Sequence, residues 1–258
     1  MASHPPAKCC AAGSLFECAA HPRGTPTGQH ARIDGKIDVY VATPPEGKAK
    51  TGCGILYIPD VLGIWQNSRL IADQFARRGY TTVVLDVFNG DPVKLERPAG
   101  FDIMAWLARG SDGDNPHTAA YVDPIVEAGI KYVKQLGVDK LGAVGYCFGA
   151  KYVVRHFKSG IAAGYVAHPS FVEEDELAAI EGPLSISAAE TDTIFSREKR
   201  HRSEEILKDT KQPYQIALYS GTEHGFAVRG DVGVKAQRFA KEQAFEQAVA
   251  WFDNFLVD

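Results

Sequence analysis

The chain lacks most of the features that would commit it to a membrane or a nucleic acid. It has no apolar run approaching about 18 residues, so no transmembrane helix is predicted. It has no positive excess either: 28 Lys and Arg stand against 32 Asp and Glu, a formal net charge of −4, and no Lys/Arg run stands out. Nucleic acids and anionic membrane surfaces both need a concentrated positive face, so neither is expected as a partner. Cysteine is scarce and unpatterned. The five residues at 9, 10, 18, 53 and 147 are odd in number and without a repeating spacing, which makes a poor disulfide framework. No Cys-x-x-Cys pair or neighbouring paired histidines complete a zinc site, so no metal is expected. Free thiols in a reducing compartment fit this usage. A secretory leader is missing from the reading as well: the small-residue stretch after Lys8 is broken by Glu17 and is short of large aliphatics. The last residues, Phe255-Leu256-Val257-Asp258, match no retention or peroxisomal tag, and the expected location is the cytoplasm.

What is present is the composition of a globular domain, 45% hydrophobic and 23% charged over 258 residues. Residues 1–30 are rich in Pro, Gly, Ala and Thr without a sustained period; they read as an irregular lead-in draped over one domain of residues 31–258. Residues 36–41 alternate polar and apolar, as a half-exposed edge strand would. Short apolar runs at 54–58, 81–85, 140–144, 161–167, 183–188 and 214–219 read as strands. Helical spacing is predicted over 69–78, 122–136, 150–158, 197–208 and 235–256, the last with Phe239, Phe245, Val249 and Phe252 on one side. Between the strand at 81–85 and the helix at 122 lies a long excursion, residues 86–117, with one short helix near 102–108. Insertions of that length are usually functional, so it is expected as a lid or substrate loop. Strand–helix alternation implies an α/β fold: a mainly parallel, doubly wound sheet with helices on both faces. Ligand chemistry in such sheets gathers at the carboxyl ends of the strands.

One pentapeptide satisfies that rule outright. Gly145-Tyr146-Cys147-Phe148-Gly149 sits between an apolar strand and a helix, the glycine-x-nucleophile-x-glycine elbow with cysteine as nucleophile. The glycines leave room for a turn so tight that the nucleophile is held in a strained backbone conformation. The helix that follows points its amino end at the side chain, which favours a thiolate. In this architecture the acid and then the histidine follow in the chain. His156 and His201 fall inside helices and read as packing or surface residues, while His168 ends a strand ahead of any acid loop and precedes Pro169. His224 lies in a glycine-flanked loop after the last strand and is the candidate base. Glu190 and Asp192 compete as the acid; Asp192, deeper in the loop after the strand from Pro183, is favoured.

These pieces, with Ile58-Pro59-Asp60-Val61-Leu62-Gly63 and His224-Gly225-Phe226-Ala227, resemble the dienelactone hydrolase family from about residue 30 to the end. The Lys8-Cys9-Cys10 opening is similar to fungal members. The resemblance implies a single-domain α/β-hydrolase fold, no cofactor, and a Cys147–Asp192–His224 triad acting on lactones or related esters. By it the backbone N–H groups of Val61 and Phe148 form the oxyanion hole, and Asp60 takes the place of a glutamate that contacts the resting cysteine and activates it. Arg229 is the candidate to hold a substrate carboxylate. Tyr146 and Phe226 join the site beside the motif, and Trp65, Phe88 and Trp106 are candidates to line its mouth. The expected partner is a small-molecule ester or lactone, and the expected assembly a monomer or homodimer. The same triad also suits a thioesterase or general carboxylesterase. Two readings from other classes are a silent hydrolase fold used for binding and a redox sensor built on Cys147.

Overall fold

Strands with no polar face form the centre of the protein. Residues 2–4, 24–97 and 100–258 are described in the computed structural model. They contain one eight-stranded sheet, ordered β1-β2-β4-β3-β5-β6-β7-β8. The strands are β1 (Gln29–Ile33), β2 (Ile37–Ala42), β3 (Cys53–Ile58), β4 (Thr81–Leu85), β5 (Lys140–Tyr146), β6 (Ala163–Ala167), β7 (Leu184–Thr191) and β8 (Tyr214–Glu223). β1, β2 and β4 pair antiparallel, and every pairing from β4 across to β8 is parallel.

Side-chain alternation divides the core into two layers. Along β3, Leu56 and Ile58 point to one layer, and Cys53, Ile55 and Tyr57 to the other. The first layer is covered by α3 (Ala119–Gln135), α4 (Gly149–Arg155) and the buried side of α6 (Arg197–Thr210); the second by α1 (Gln66–Arg77) and α8 (Lys235–Leu256). With both faces covered, the central strands are apolar throughout.

Two local expectations are corrected, and two short helices come in addition. β2 is not the edge: β1 lies outside it, missed because its sequence, Gln-His-Ala-Arg-Ile, is largely polar and exposed. Phe239 faces solvent on α8, whose buried side is Ala240, Ala244, Ala248, Val249, Phe252 and Leu256. The short helices α5 (Glu174–Ala178) and α7 (Phe226–Arg229) had no periodic signal to announce them.

The excursion at 86–117 holds α2 (Ile103–Arg109), capped by the Asp102 carboxylate, which accepts from Met104 and Ala105 N–H. It is tied to the body. Val93 N–H donates to Val61 O (2.8 Å) and Asp86 N–H to Asp38 O (3.0 Å), while bonds from Trp106 Nε1 to Asp91 O (3.1 Å) and from His117 N–H to Leu107 O (2.8 Å) brace the segment internally. Part of the lead-in is also described. Ser3 and His4 N–H donate to Val172 O (3.0 Å) and Ile194 O (2.8 Å), tying the loop after β6 to the loop after β7. Cys9, Cys10 and Cys18 lie outside the described residues. Among those residues no helix is long and apolar enough to cross a membrane.

Going from β3 to β4 the chain moves outward, then crosses to β5 on the other side of β3. The carboxyl ends of β3 and β5 therefore flank the crevice where such sheets place ligands. Asp60 and Val61 leave the end of β3; Cys147 leaves the end of β5.

Candidate active site

The elbow is built as its glycines require. Cys147 has φ 51°, in the left-handed region that costs a non-glycine residue energy. A Cβ on Gly145 would lie 2.6 Å from Gly149 O, and one on Gly149 would lie 2.1 Å from Ile58 O. Both obstacles are backbone. Cys147 and Phe148 are buried, and Phe148 stands at the amino end of α4. Among the described residues, no hydrogen bond is donated by the N–H of Val61 or of Phe148.

β7 and β8 bring the other two members. β7 ends in an irregularity at Ala189/Thr191, and Asp192 follows at once. Its Oδ1 accepts from Ile194 N–H (2.8 Å) and Phe195 N–H (3.0 Å), and its Oδ2 lies 2.9 Å from His224 Nδ1. Burial works against its ionisation, but the hydrogen bond and charge of His224 and these N–H groups outweigh it and hold the carboxyl below its ordinary value. Glu190, the competitor, is exposed and accepts from Gly221 N–H (2.7 Å), away from His224.

His224 Nε2 makes no hydrogen bond within ordinary limits, and the imidazole lies near enough to Cys147 to feel its charge. Burial alone would pull this imidazole down. The charge of Cys147, with the hydrogen bond and charge of Asp192, overrides burial and raises it to about 10.

Asp60 and Arg229 meet. Both are buried, and Arg229 Nη1 donates to Asp60 Oδ2 while Leu62 N–H donates to Oδ1 (3.1 Å). Burial pushes the Asp60 carboxyl up to about 6; Arg229 opposes that and the neighbouring Cys147 charge adds to it. Gly225, with φ 95°, makes room for this arginine, since a Cβ there would fall 2.1 Å from Arg229 Nη2. Arg229 thus faces a carboxylate of its own chain.

Tyr146 and Phe226, expected to join the site beside the motif, are both buried and pack against His168. Tyr146 is buried between Tyr57 (5.0 Å) and His168 (6.1 Å), and Phe226 packs on Tyr219 (5.3 Å) and His168 (5.8 Å). Phe88 and Trp106 are buried against each other, and Trp65 is half-buried. On the outer side of Phe148, between α2, the start of α3 and α4, lies a cavity of about 280 Å³ walled by Met104, Leu107, Phe148, Tyr152 and Phe171.

Two residues after β6 enter the site without having been picked as members. His168 is buried beside His224 (ring centroids 5.0 Å), and burial, helped by the charges of His224 and Arg229, holds it far below the usual imidazole range and neutral. Ser170 Oγ lies 3.3 Å from Cys147 Sγ. The available signal was positional: β6 pairs with β5 in parallel, so polar residues just past Ala167 must lie beside Cys147. Among the described residues, no group of three or more His, Cys, Asp or Glu is gathered to hold a metal ion.

Comparison with known proteins agrees with this architecture. The model of the dienelactone hydrolase family matches residues 37–256. The protein "Hydrolase pyvD" of Aspergillus violaceofuscus is 47% identical over 259 residues, 99% of each chain. "Dienlactone hydrolase 1" of Gibberella moniliformis is 34% identical over 263 residues, 96% of this chain and 93% of that one. Among solved structures, a dienelactone hydrolase-like promiscuous phosphotriesterase from metagenomic libraries superposes with TM-score 0.68 at 16% identity, covering 90% of this chain and 98% of the other. That last likeness is one of fold.

Proposed function

Because the chain belongs to the dienelactone hydrolase family, we propose that it hydrolyses a small-molecule ester or lactone through a Cys147–His224–Asp192 triad and a thioester acyl-enzyme. The observation that carries this reading is the convergence of three strand ends. Cys147, His224 and Asp192 come from β5, β8 and β7, with Asp192 Oδ2 2.9 Å from His224 Nδ1 and the charge of Cys147 acting on the same imidazole.

The Cys147 thiolate attacks the ester carbonyl carbon, and the carbonyl electrons move onto oxygen. The N–H groups of Val61 and Phe148 receive that oxyanion, each donor being worth about 3 kcal/mol of barrier. Collapse expels the alkoxide, which takes the Nε2 proton of His224. Water then attacks the thioester, gives its proton back to Nε2, and the thiolate leaves. Asp192 fixes the imidazole tautomer and supports its charged form throughout. The sulfur is fully buried, so substrate entry has to displace a side chain above it. The cavity beside Phe148 offers an apolar, aromatic-walled seat for the bulk of the substrate.

The test is turnover of a panel of activated esters, thioesters and lactones by wild type and Cys147→Ala near pH 7. Turnover by wild type alone supports the reading, and the preferred leaving group separates lactonase from thioesterase. Equal turnover by both proteins removes Cys147 from the mechanism. No turnover by either, with reversible oxidation of Cys147 by peroxide, favours the redox thiol; no turnover without oxidation favours a silent binding fold.

A further inference from the structure

The turn after β6 is held in place far more firmly than a connecting loop needs. His168 and Phe171 both adopt left-handed backbone conformations, φ 39° and 61°. Neither is glycine, and strained non-glycine residues persist only where surrounding structure over-determines them. Here the determinants are visible. His168 N–H donates to Ser187 O (2.8 Å), and Phe171 N–H to His4 O (2.9 Å). Lys151 Nζ donates to Phe171 O (3.1 Å) while paired with Glu176, and Val172 N–H donates to Ser3 Oγ (2.9 Å). The turn also clamps the nucleophile's own backbone. Cys147 N–H donates to Ala167 O (3.1 Å), and Ser170 N–H donates to Cys147 O (3.0 Å).

The result of this bracing is one short contact. Ser170, with no solvent exposure, has its Oγ 3.3 Å from Cys147 Sγ. A hydroxyl has one proton to give, and a thiolate has none. We propose that Ser170 is a catalytic residue that donates its hydroxyl hydrogen bond to the Cys147 sulfur, stabilising the thiolate when it forms and when it leaves.

This rests on Cys147 being the nucleophile. In the resting enzyme the thiolate then accepts from Ser170 Oγ–H beside the His224 imidazole. Acylation turns the sulfur into a thioester, a weak acceptor, and the serine's bond is lost. In deacylation, water oxygen bonds to the thioester carbon and the water proton passes to His224 Nε2. The C–S bond then breaks with its electron pair on sulfur, and Ser170 donates to that pair without giving up its proton. A hydrogen bond gained as the leaving group forms accelerates the step that forms it. The charged and titratable groups around the sulfur are His224 after β8, with Asp192 behind it; Asp60 after β3, with Arg229 behind it; and His168 after β6.

The experiment compares wild type with Ser170→Ala, which removes one oxygen and leaves the turn's backbone bonds in place. Alkylation of Cys147 by iodoacetamide is followed by mass spectrometry from pH 4 to 10, so no substrate need be known. The expected result is a midpoint raised by about one pH unit or more, a tenfold or greater loss of reactivity below it. With an activated ester that wild type turns over, the variant accumulates acyl-enzyme at Cys147. An unchanged midpoint overturns the proposal, and unchanged acyl-enzyme overturns its leaving-group half. If wild-type Cys147 itself titrates as an ordinary thiol, the failure lies in the nucleophile assignment instead.

Discussion

Asp60 and Arg229, 169 residues apart in the chain, form a buried ion pair close to Cys147. Each leaves its element by a different route: Asp60 from the end of β3, Arg229 from the four-residue α7 that follows His224. The pair ties the end of β3 to the segment that follows β8. Burying two charges is costly, and a buried pair repays that cost only with good geometry.

Removing one partner strands the other. Arg229→Met is expected to destabilise the fold by about 3–5 kcal/mol and Asp60→Asn by a similar amount. The double variant Asp60→Asn/Arg229→Met should recover much of the loss, since neither charge is then left alone. Urea unfolding of the four proteins closes the cycle; additive losses would show that the two residues do not depend on each other.

The two acidic candidates of the β7 end are separable by kinetics. Asp192→Asn removes the carboxylate that orients His224 and should lower kcat by up to about 10⁴ with little change in KM. Glu190→Gln touches only the Gly221 N–H at an exposed position and should leave kcat within about twofold. The reverse ranking would place the acid at Glu190.

Gly149→Ala is expected to be far more damaging than its one methyl suggests. The added carbon would lie 2.1 Å from Ile58 O and 2.8 Å from Pro59 O, and neither obstacle is a side chain that can swing away. The loss should appear both in Tm and in turnover. By contrast Gly35→Ala, whose Cβ meets nothing within 4 Å, should pay only for its left-handed φ of 70°, about 1–2 kcal/mol, with activity retained.

Lys241, buried on α8 with Nζ 3.2 Å from Gly230 O, imposes a pH signature on stability. Burial first, then the charge of Arg229, lowers it from 10.5 to about 7. Between those values the unfolded chain holds a proton that the folded protein has released, so this residue makes stability rise with pH from 7 to about 10. His224 works in the opposite sense: raised from 6.5 to about 10, its contribution is complete below 6.5 and is lost toward 10. Lys241→Met removes the first effect and keeps the second. The difference in unfolding free energy between the two proteins should therefore change by a few kcal/mol across that window, at about 1.4 kcal/mol per pH unit. A constant difference would mean that Lys241 keeps its proton when folded.

Much of this was legible in one dimension because the signals are local. Strand runs such as Thr81–Leu85 and the long helix Lys235–Leu256 are visible as apolar runs and helical spacing, and their bounds agree with the structure. The elbow glycines are a steric demand made by residues two apart. β1, polar and exposed on the rim, carried no such signal, and the side of α8 that holds Phe239 was misassigned because aromatic spacing alone does not say which face is covered.

The sequence by itself determined the fold class and the chain order of the candidate residues Cys147, Asp192 and His224, because each rests on short-range pattern: periodicity for the elements, glycines and strand ends for the motif. Only the tertiary structure decided which polar groups share one space. Sheet register placed Ser170 against Cys147, a bulge at the end of β7 turned Asp192 rather than Glu190 toward His224, and burial paired Arg229 with Asp60 instead of leaving it open. Such contacts join residues tens to hundreds of positions apart. Their energies depend on distance and dielectric in the folded protein, quantities that no spacing along the chain contains.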